Sequence, residues 1–260
     1  MTPSSAQALS FDAVADQYAA SRPGYPTELF DAVEELTGRP LAGADVVDVG
    51  AGTGIATALL RERGARVTAA EPTTGMAAGL RAAQPDVPVV RADGNALPFR
   101  DASADLVTYA QAWHWTDPAR SVPEALRVLR PGGALALWWN VPDLAHQWVA
   151  EQERRLTERC ATYRPSGFPD TVPGLLAPFG LRIATRSVRW SRRITIDQHL
   201  ECLSSHSFIA MLGDDGAAEI LRDERAVLLA EFPDGMLDEP YVLQLVVARR
   251  PRAAVADTAG

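Results

Sequence analysis

Lysine is absent from this chain: all 25 basic residues are arginines. Alanine, glycine and proline are plentiful, so the plain reading is the codon bias of a GC-rich genome rather than a functional demand. Cysteine is scarce. Cys160 and Cys202 stand alone, without the short spacings of a metal cluster or a disulfide framework, and no metal site is expected. A reducing cytoplasm is the expected location. No apolar run approaches the ~20 residues that span a bilayer, and the N-terminus lacks a basic stretch followed by an apolar one, so no membrane partner is expected. Positive charge is in deficit, with 25 basic against 33 acidic residues and a net charge of −8. A nucleic-acid partner would call for a basic face. None is expected.

What is present is an ordinary globular composition, 47% apolar and 22% charged over 260 residues, enough for one large α/β domain. Its organising stretch runs from Asp45 to Ala58. Val46, Val47 and Val49 suit a short buried parallel strand. Gly50, Gly52 and Gly54 follow at once, and then a helical pattern begins at Ile55. A strand that passes through glycines into a helix aims backbone N–H groups and a positive dipole end at a crevice. That is a nucleotide-binding turn. The dinucleotide fingerprint G-x-G-x-x-G would put its third glycine at position 55, where this chain has Ile55. Glu71 closes the next strand and can accept ribose hydroxyls, which suits an adenosine ligand without a 2′-phosphate.

The rest alternates. Strands are expected over 45–49, 66–71, 87–91, 104–110 and 134–139, with helices over 54–63, 74–83 and 118–129. Two further helices are expected at 11–20 and 27–36, the second capped by Thr27. This is a doubly wound, mostly parallel sheet with helices on both faces. After residue 140 the pattern changes to a helix over 144–160, a Pro/Gly-rich loop over 164–174 and a strand over 181–196. Helices over 197–205 and 215–231 and a last strand over 240–250 complete it. There is no internal repeat and no long linker. A single domain over 1–260 is expected, with residues 1–40 as a helical lid and 41–140 as the ligand-binding core. Residues 141–235 form a cap among the last strands, and 251–260 a disordered tail.

Four motifs together carry a resemblance: Val47-Asp48-Val49-Gly50-Ala51-Gly52-Thr53-Gly54, Glu71 after strand two, Ala92-Asp93-Gly94-Asn95-Ala96-Leu97-Pro98-Phe99 after strand three, and Leu129-Arg130-Pro131-Gly132-Gly133 before strand five. In this order and spacing the chain resembles class I S-adenosylmethionine-dependent methyltransferases, from about Phe11 to Asn140. The Phe11-to-Pro26 segment and Gln111-Ala112-Trp113-His114-Trp115 resemble a small-molecule subgroup that includes trans-aconitate methyltransferases. Ala104 and Thr116 depart from it where that group usually has phenylalanine.

The resemblance implies a seven-stranded Rossmann-like sheet and S-adenosylmethionine as cofactor. It implies a cofactor site of Tyr18, Arg22, Gly50, Ala51, Gly52, Glu71, Pro72, Met76, Asp93, Gly94, Asn95 and Gln111. Glu71 would hold the ribose, Pro72 and Met76 would lie against the adenine, and Asp93 would accept from its amino group. Arg22 reads equally as a solvated turn residue and Tyr18 as a helix anchor, while for Asp93 the cofactor reading outweighs that of a loop cap. Trp113, Trp115, Trp139 and Asn140 are the expected acceptor wall, although strand alternation sends one of Trp138 and Trp139 into the core. His114 is the leading base candidate and His206 the second, each with a structural role as alternative. His146 and His199 read as surface residues.

The expected reaction is methyl transfer to an oxygen, carboxylate or hydroxyl, of a small-molecule metabolite or natural product by a monomer or homodimer. Transfer to nitrogen or carbon is the nearer alternative. An NAD-dependent oxidoreductase is disfavoured by Ile55 and by the lack of any lysine for a Tyr-x-x-x-Lys pair. A non-catalytic relative is disfavoured by the intact glycines, Glu71 and Asp93.

Overall fold

The computed structural model describes residues 22–160, 163 and 168–250. The helix expected over 11–20, Tyr18 within it, and the tail from 251 lie outside the described residues. The described part is built on a seven-stranded sheet of order β3-β2-β1-β4-β5-β7-β6. β1 (Asp45–Val49), β2 (Arg66–Ala70), β3 (Val89–Val90), β4 (Ala104–Ala110) and β5 (Leu129–Pro142) run parallel. β7 (Met236–Arg249) lies antiparallel between β5 and β6 (Arg182–Thr195). β3 is shorter than expected because Pro88 has no N–H to donate; it offers only its carbonyl, to Ala69 N at 2.9 Å. β5 begins earlier than expected, since Leu129 already pairs with Ala104 ahead of the Gly132-Gly133 irregularity.

Side-chain alternation sorts the strands into two cores. Val47, Val107, Leu135 and Trp139 face one side, packed with Val122, Ala125 and Val128 of α4 (Pro118–Val128). Val46, Leu106, Ala136 and Trp138 face the other, against Leu29, Phe30 and Val33 of α1 (Thr27–Thr37) and Leu60 of α2 (Ile55–Glu62). α1 is preceded by Pro26 at its cap position. Thr27, expected to cap it, is the first helical residue and donates to Glu28 instead. α3 (Thr74–Ala83) completes the β2–β3 crossover.

The later half holds two helical groups around β6. α5 (Gln147–Arg159) and α6 (Phe168–Leu176) precede it; α7 (Ile196–Ser204), α8 (Ser207–Ala210) and α9 (Gly213–Glu231) follow. α6 occupies sequence expected to be a loop. Val172 and Leu176, four residues apart and fully buried, draw it onto the first core despite Pro169 and Pro173, so burial overrides local propensity. A third cluster joins Leu156, Leu200, Leu203, Phe208, Ile220 and Leu228 among these helices. Edge strand β6 carries Arg182, Arg186, Arg189, Arg192 and Arg193, and such charges discourage edge-to-edge pairing. Cys160 and Cys202 are buried and free. Among the described residues no helix is long and apolar enough to cross a membrane.

Candidate active site

In an open α/β sheet, ligands bind outside the carboxyl ends of the strands where the order reverses. Here that point lies between β1 and β4. The glycine turn leaves β1 there, and the loop from Gln111 to Asp117 leaves β4. Asp117 caps α4 by accepting from Ala119 N, with Pro118 at the first helical position.

The three glycines of the turn do different work. All have positive φ (67° at Gly50, 59° at Gly52, 92° at Gly54). A Cβ on Gly50 would stand 2.5 Å from the Ala112 Cβ, so this position locks the two loops together. A Cβ on Gly54 would meet Leu80 and Gln84 of the next crossover. Only at Gly52 would a Cβ enter open space, so Gly52 is where a ligand can approach the backbone. Gly50 and Gly52 both line the small cavity, with the open approach at Gly52. Ala51 stands between them on the wall of a small cavity with Arg22, Thr53 and Gln111.

Glu71 is buried and ties the turn to β2. Its Oε2 accepts from Gly52 N at 2.9 Å, and its Oε1 accepts from Thr73 N and Oγ1 at 2.9 and 2.8 Å. A carboxylate has about four acceptor sites, so one remains for a ligand hydroxyl while this arrangement holds. Asp48, which sequence reading passed over, lies fully buried under the turn. It accepts from Thr57 Oγ1 at 2.6 Å and Thr108 Oγ1 at 2.9 Å. Burial, with a smaller push from the Glu71 charge and against the two hydroxyls, raises its pKa from 3.8 to about 6. The sign follows from linkage: the raised pKa stabilises the fold below pH 3.8, and that contribution is lost as pH rises through about 6. At ~1.4 kcal/mol per pKa unit the total is about 3 kcal/mol. Asp48→Asn should therefore gain stability relative to wild type between pH 4 and 7 in urea titrations; parallel pH curves would refute it.

Other expected cofactor residues fall into two groups. Arg22 and Gln111 line both the small cavity and a larger one, and so mark their junction. Gln111 sits at φ 55°, a left-handed position rarely taken by a residue other than glycine. Strain of this kind gathers at functional sites. Met76 is corrected: with Ala77 and Leu80 it lies on the inward face of α3, 4% exposed. Pro72 is exposed, and its carbonyl accepts from Arg91 Nε at 3.1 Å. Asp93 forms a local turn, its Oδ1 accepting from Asn95 N and Nδ2. Asn95 Oδ1 in turn accepts from Asp117 N at 2.8 Å. Gly94 is a packing glycine, with Thr116, Tyr109 and Val49 atoms 3.0–3.2 Å from where a Cβ would lie.

The larger cavity, about 410 Å³, lies between the sheet ends and the later helices. Of the expected acceptor wall, Trp115 and Asn140 line it. Trp113 is corrected to a core residue, 1% exposed, because its N–H is spent on Ser121 Oγ at 3.0 Å. Trp139 likewise packs in the core on the opposite face from Trp138, as alternation requires. The Asn140 amide donates to Gly24 O and accepts from Trp190 Nε1, both at 3.0 Å, so it clamps the N-terminal segment.

His114 lines the cavity, and one of its ring nitrogens is engaged by the protein. Trp139 Nε1–H donates to His114 Nδ1 at 3.2 Å. Indole nitrogen only donates, so neutral His114 carries its own proton on Nε2. Burial, then the charge of Arg22, lowers its pKa to about 4. His206 Nε2 faces Arg22 Nη1 at 3.4 Å, and Arg22 Nη2 donates to Ser205 O at 3.2 Å. A guanidinium also only donates, so that lone pair of His206 is engaged; burial and the Arg22 and His199 charges press its pKa well below 6.5.

His199, expected at the surface, is buried. Its Nδ1 lies 2.6 Å from Glu239 Oε1 and its Nε2 lies 3.1 Å from the Gln152 side-chain amide. With Trp148, Glu153, Phe208 and Tyr241 these residues form the far wall. Sequence reading missed them, since they come from α5, α7, α8 and β7 with no shared motif. His146 is exposed, as expected.

Comparison with known proteins agrees with this geometry. A methyltransferase domain family model matches residues 47–137. A methyltransferase-like protein of Schizosaccharomyces pombe is 30% identical over 209 residues, covering 78% of each chain. An uncharacterized methyltransferase of Mycobacterium tuberculosis is 46% identical over 143 residues, 55% of this chain and 57% of its own length. A solved candidate type II methyltransferase from Anaeromyxobacter dehalogenans superposes with a TM-score of 0.64 at 26% identity, covering 88% of this chain and 97% of the other. The chain belongs to the class I S-adenosylmethionine-dependent methyltransferases.

The residues fit that family's cofactor on three counts. Among the described residues Gly52 faces open space, the buried Thr53 hydroxyl has no hydrogen-bond partner, and Glu71 keeps acceptor capacity.

Proposed function

We propose that the protein transfers a methyl group from S-adenosylmethionine to an oxygen of a small-molecule acceptor, and that this oxygen is already ionised when bound, as a carboxylate is at neutral pH. One observation carries the reading: Trp139 occupies the lone pair on His114 Nδ1, so His114 offers a donor and not a base. His206 is engaged by Arg22 in the same sense. Arg22 and the Gln111 amide at the junction of the two cavities, and His114 on the wall of the larger one, supply N–H groups suited to an anionic oxygen.

When bound, the cofactor supplies a methyl group activated by a sulfonium. The glycine turn and Glu71 would hold its amino-acid and ribose parts at the small cavity, with the acceptor in the larger one. The helices α5 to α9 serve as cap. In-line methyl transfer rests mainly on alignment. Orientation is worth ~7–11 kcal/mol, against roughly 3–5 kcal/mol for a general base. A nucleophile that arrives ionised needs no base, which matches a site where the accepting nitrogens of His114 and His206 are already engaged.

The test is the chemistry of the product. With a labelled methyl donor and a small-molecule extract, the labelled product should be a carboxyl ester that releases methanol in mild alkali. The rate should be flat from pH 6.5 to 9, and His114→Ala should lower it without changing that shape. An alkali-stable product, or a rise with pH that His114→Ala abolishes, would overturn the carboxylate reading.

A further inference from the structure

Glu153 stands in the wall of the larger cavity on α5, with 9% of its surface exposed. Its Oε2 accepts the Tyr163 hydroxyl, and its Oε1 is buried without any hydrogen-bond partner among the described residues. No cation balances it among the described residues. Its chain neighbours are engaged elsewhere, Arg154 with Glu158 and Arg155 with Glu224. Glu239, the other carboxylate of the wall, shows the contrast: it is held by Arg192 Nε at 2.6 Å and by His199.

A buried carboxylate oxygen with neither donor nor counter-charge is costly to the free protein. A ligand that supplies both recovers that cost on binding. The same cavity presents the rings of Trp148, Tyr163, Phe208 and Trp115, and aromatic faces attract cations once water is excluded. We propose that Glu153 is the anchor for a positively charged amine on the methyl acceptor, so that the acceptor is an amine-bearing small molecule. The inference rests on the acceptor site proposed above and deepens it: donors at the junction face an anionic oxygen, while Glu153 takes a cation on the cap side. A neutral hydroxyl could complete the hydrogen bond at Oε1 but would leave the charge unbalanced.

The experiment uses the full chain and three matched probes, 2-phenylethylamine, 2-phenylethanol and 3-phenylpropionate, titrated by calorimetry with and without S-adenosylhomocysteine. The amine is expected to bind wild type at least tenfold tighter than the alcohol. Glu153→Gln should weaken the amine at least tenfold and leave 3-phenylpropionate unchanged or tighter. A melting temperature for Glu153→Gln no lower than wild type shows that the loss is not unfolding; the wild-type comparison of amine with alcohol needs no variant at all. Equal binding of amine and alcohol, or equal losses of amine and acid in Glu153→Gln, overturns the proposal. If S-adenosylhomocysteine fails to bind wild type, the methyl-transfer reading fails, and the titrations without it still decide the amine site by the same criteria.

Discussion

Gly50→Ala should destabilise the fold by about 2–5 kcal/mol, while Gly52→Ala should leave the protein folded and weaken S-adenosylhomocysteine binding. Both positions are left-handed, and an L-residue there costs about 1–2 kcal/mol. They differ in what the new methyl meets. At Gly50 it would stand 2.5 Å from the Ala112 Cβ. Both carbons are fixed to backbone, so neither can swing aside, and overpacking adds roughly 1–3 kcal/mol. At Gly52 it meets nothing, and its only effect beyond the backbone cost is to fill the approach to the turn. Against a total stability of about 5–15 kcal/mol, the first loss is readily seen in a denaturant midpoint. The second is read as a lost ligand-induced rise in melting temperature. Equal destabilisation by the two variants would show that the loops after β1 and β4 are not locked through Gly50.

Arg155→Ala should cost about 3–5 kcal/mol, the penalty for leaving a buried charge without its partner. Glu224 is 1% exposed and receives two Arg155 bonds, Nε to Oε1 at 2.8 Å and Nη2 to Oε2 at 2.7 Å. Gln152 donates to the same carboxylate at 3.1 Å and its amide also contacts His199 Nε2. The pair therefore pins α5, with Trp148, Gln152 and Glu153 on it, against α9. Arg155→Ala combined with Glu224→Leu should recover much of the loss, because the double replacement removes the stranded charge instead of exposing it. Acceptor binding should suffer in Arg155→Ala while the cofactor turn, built on β1 and β2, keeps its affinity. An additive double mutant would mean that the two side chains are not energetically coupled.

Much of this was legible from residue order. The run Val46-Val47 before three alternate glycines predicts a buried strand and a tight glycine turn, and both are present. Strand alternation predicts that Trp138 and Trp139 face opposite sides of the sheet, and they do, but the side expected to be pocket wall for Trp139 is a second core. The element boundaries that moved each have a local cause. Pro88 shortens β3, and the Leu129–Ala104 pair lengthens β5. Long-range burial of Val172 and Leu176 makes a helix of proline-rich sequence, and no local window contains that information.

The sequence by itself determined the order of strands and helices, the glycine turn and the acid at the end of β2. These depend on side-chain periodicity and on backbone conformations only glycine takes readily, both properties of neighbouring residues. Tertiary structure decided the chemistry of the larger cavity. Whether His114 gives or takes a proton depends on Trp139, 25 residues away on another strand. Whether His199 lies at the surface or in the wall depends on Glu239 and Gln152, 40 and 47 residues away. Proton position and charge balance are set by whichever groups come within ~3 Å in space, and only the closed fold brings these together.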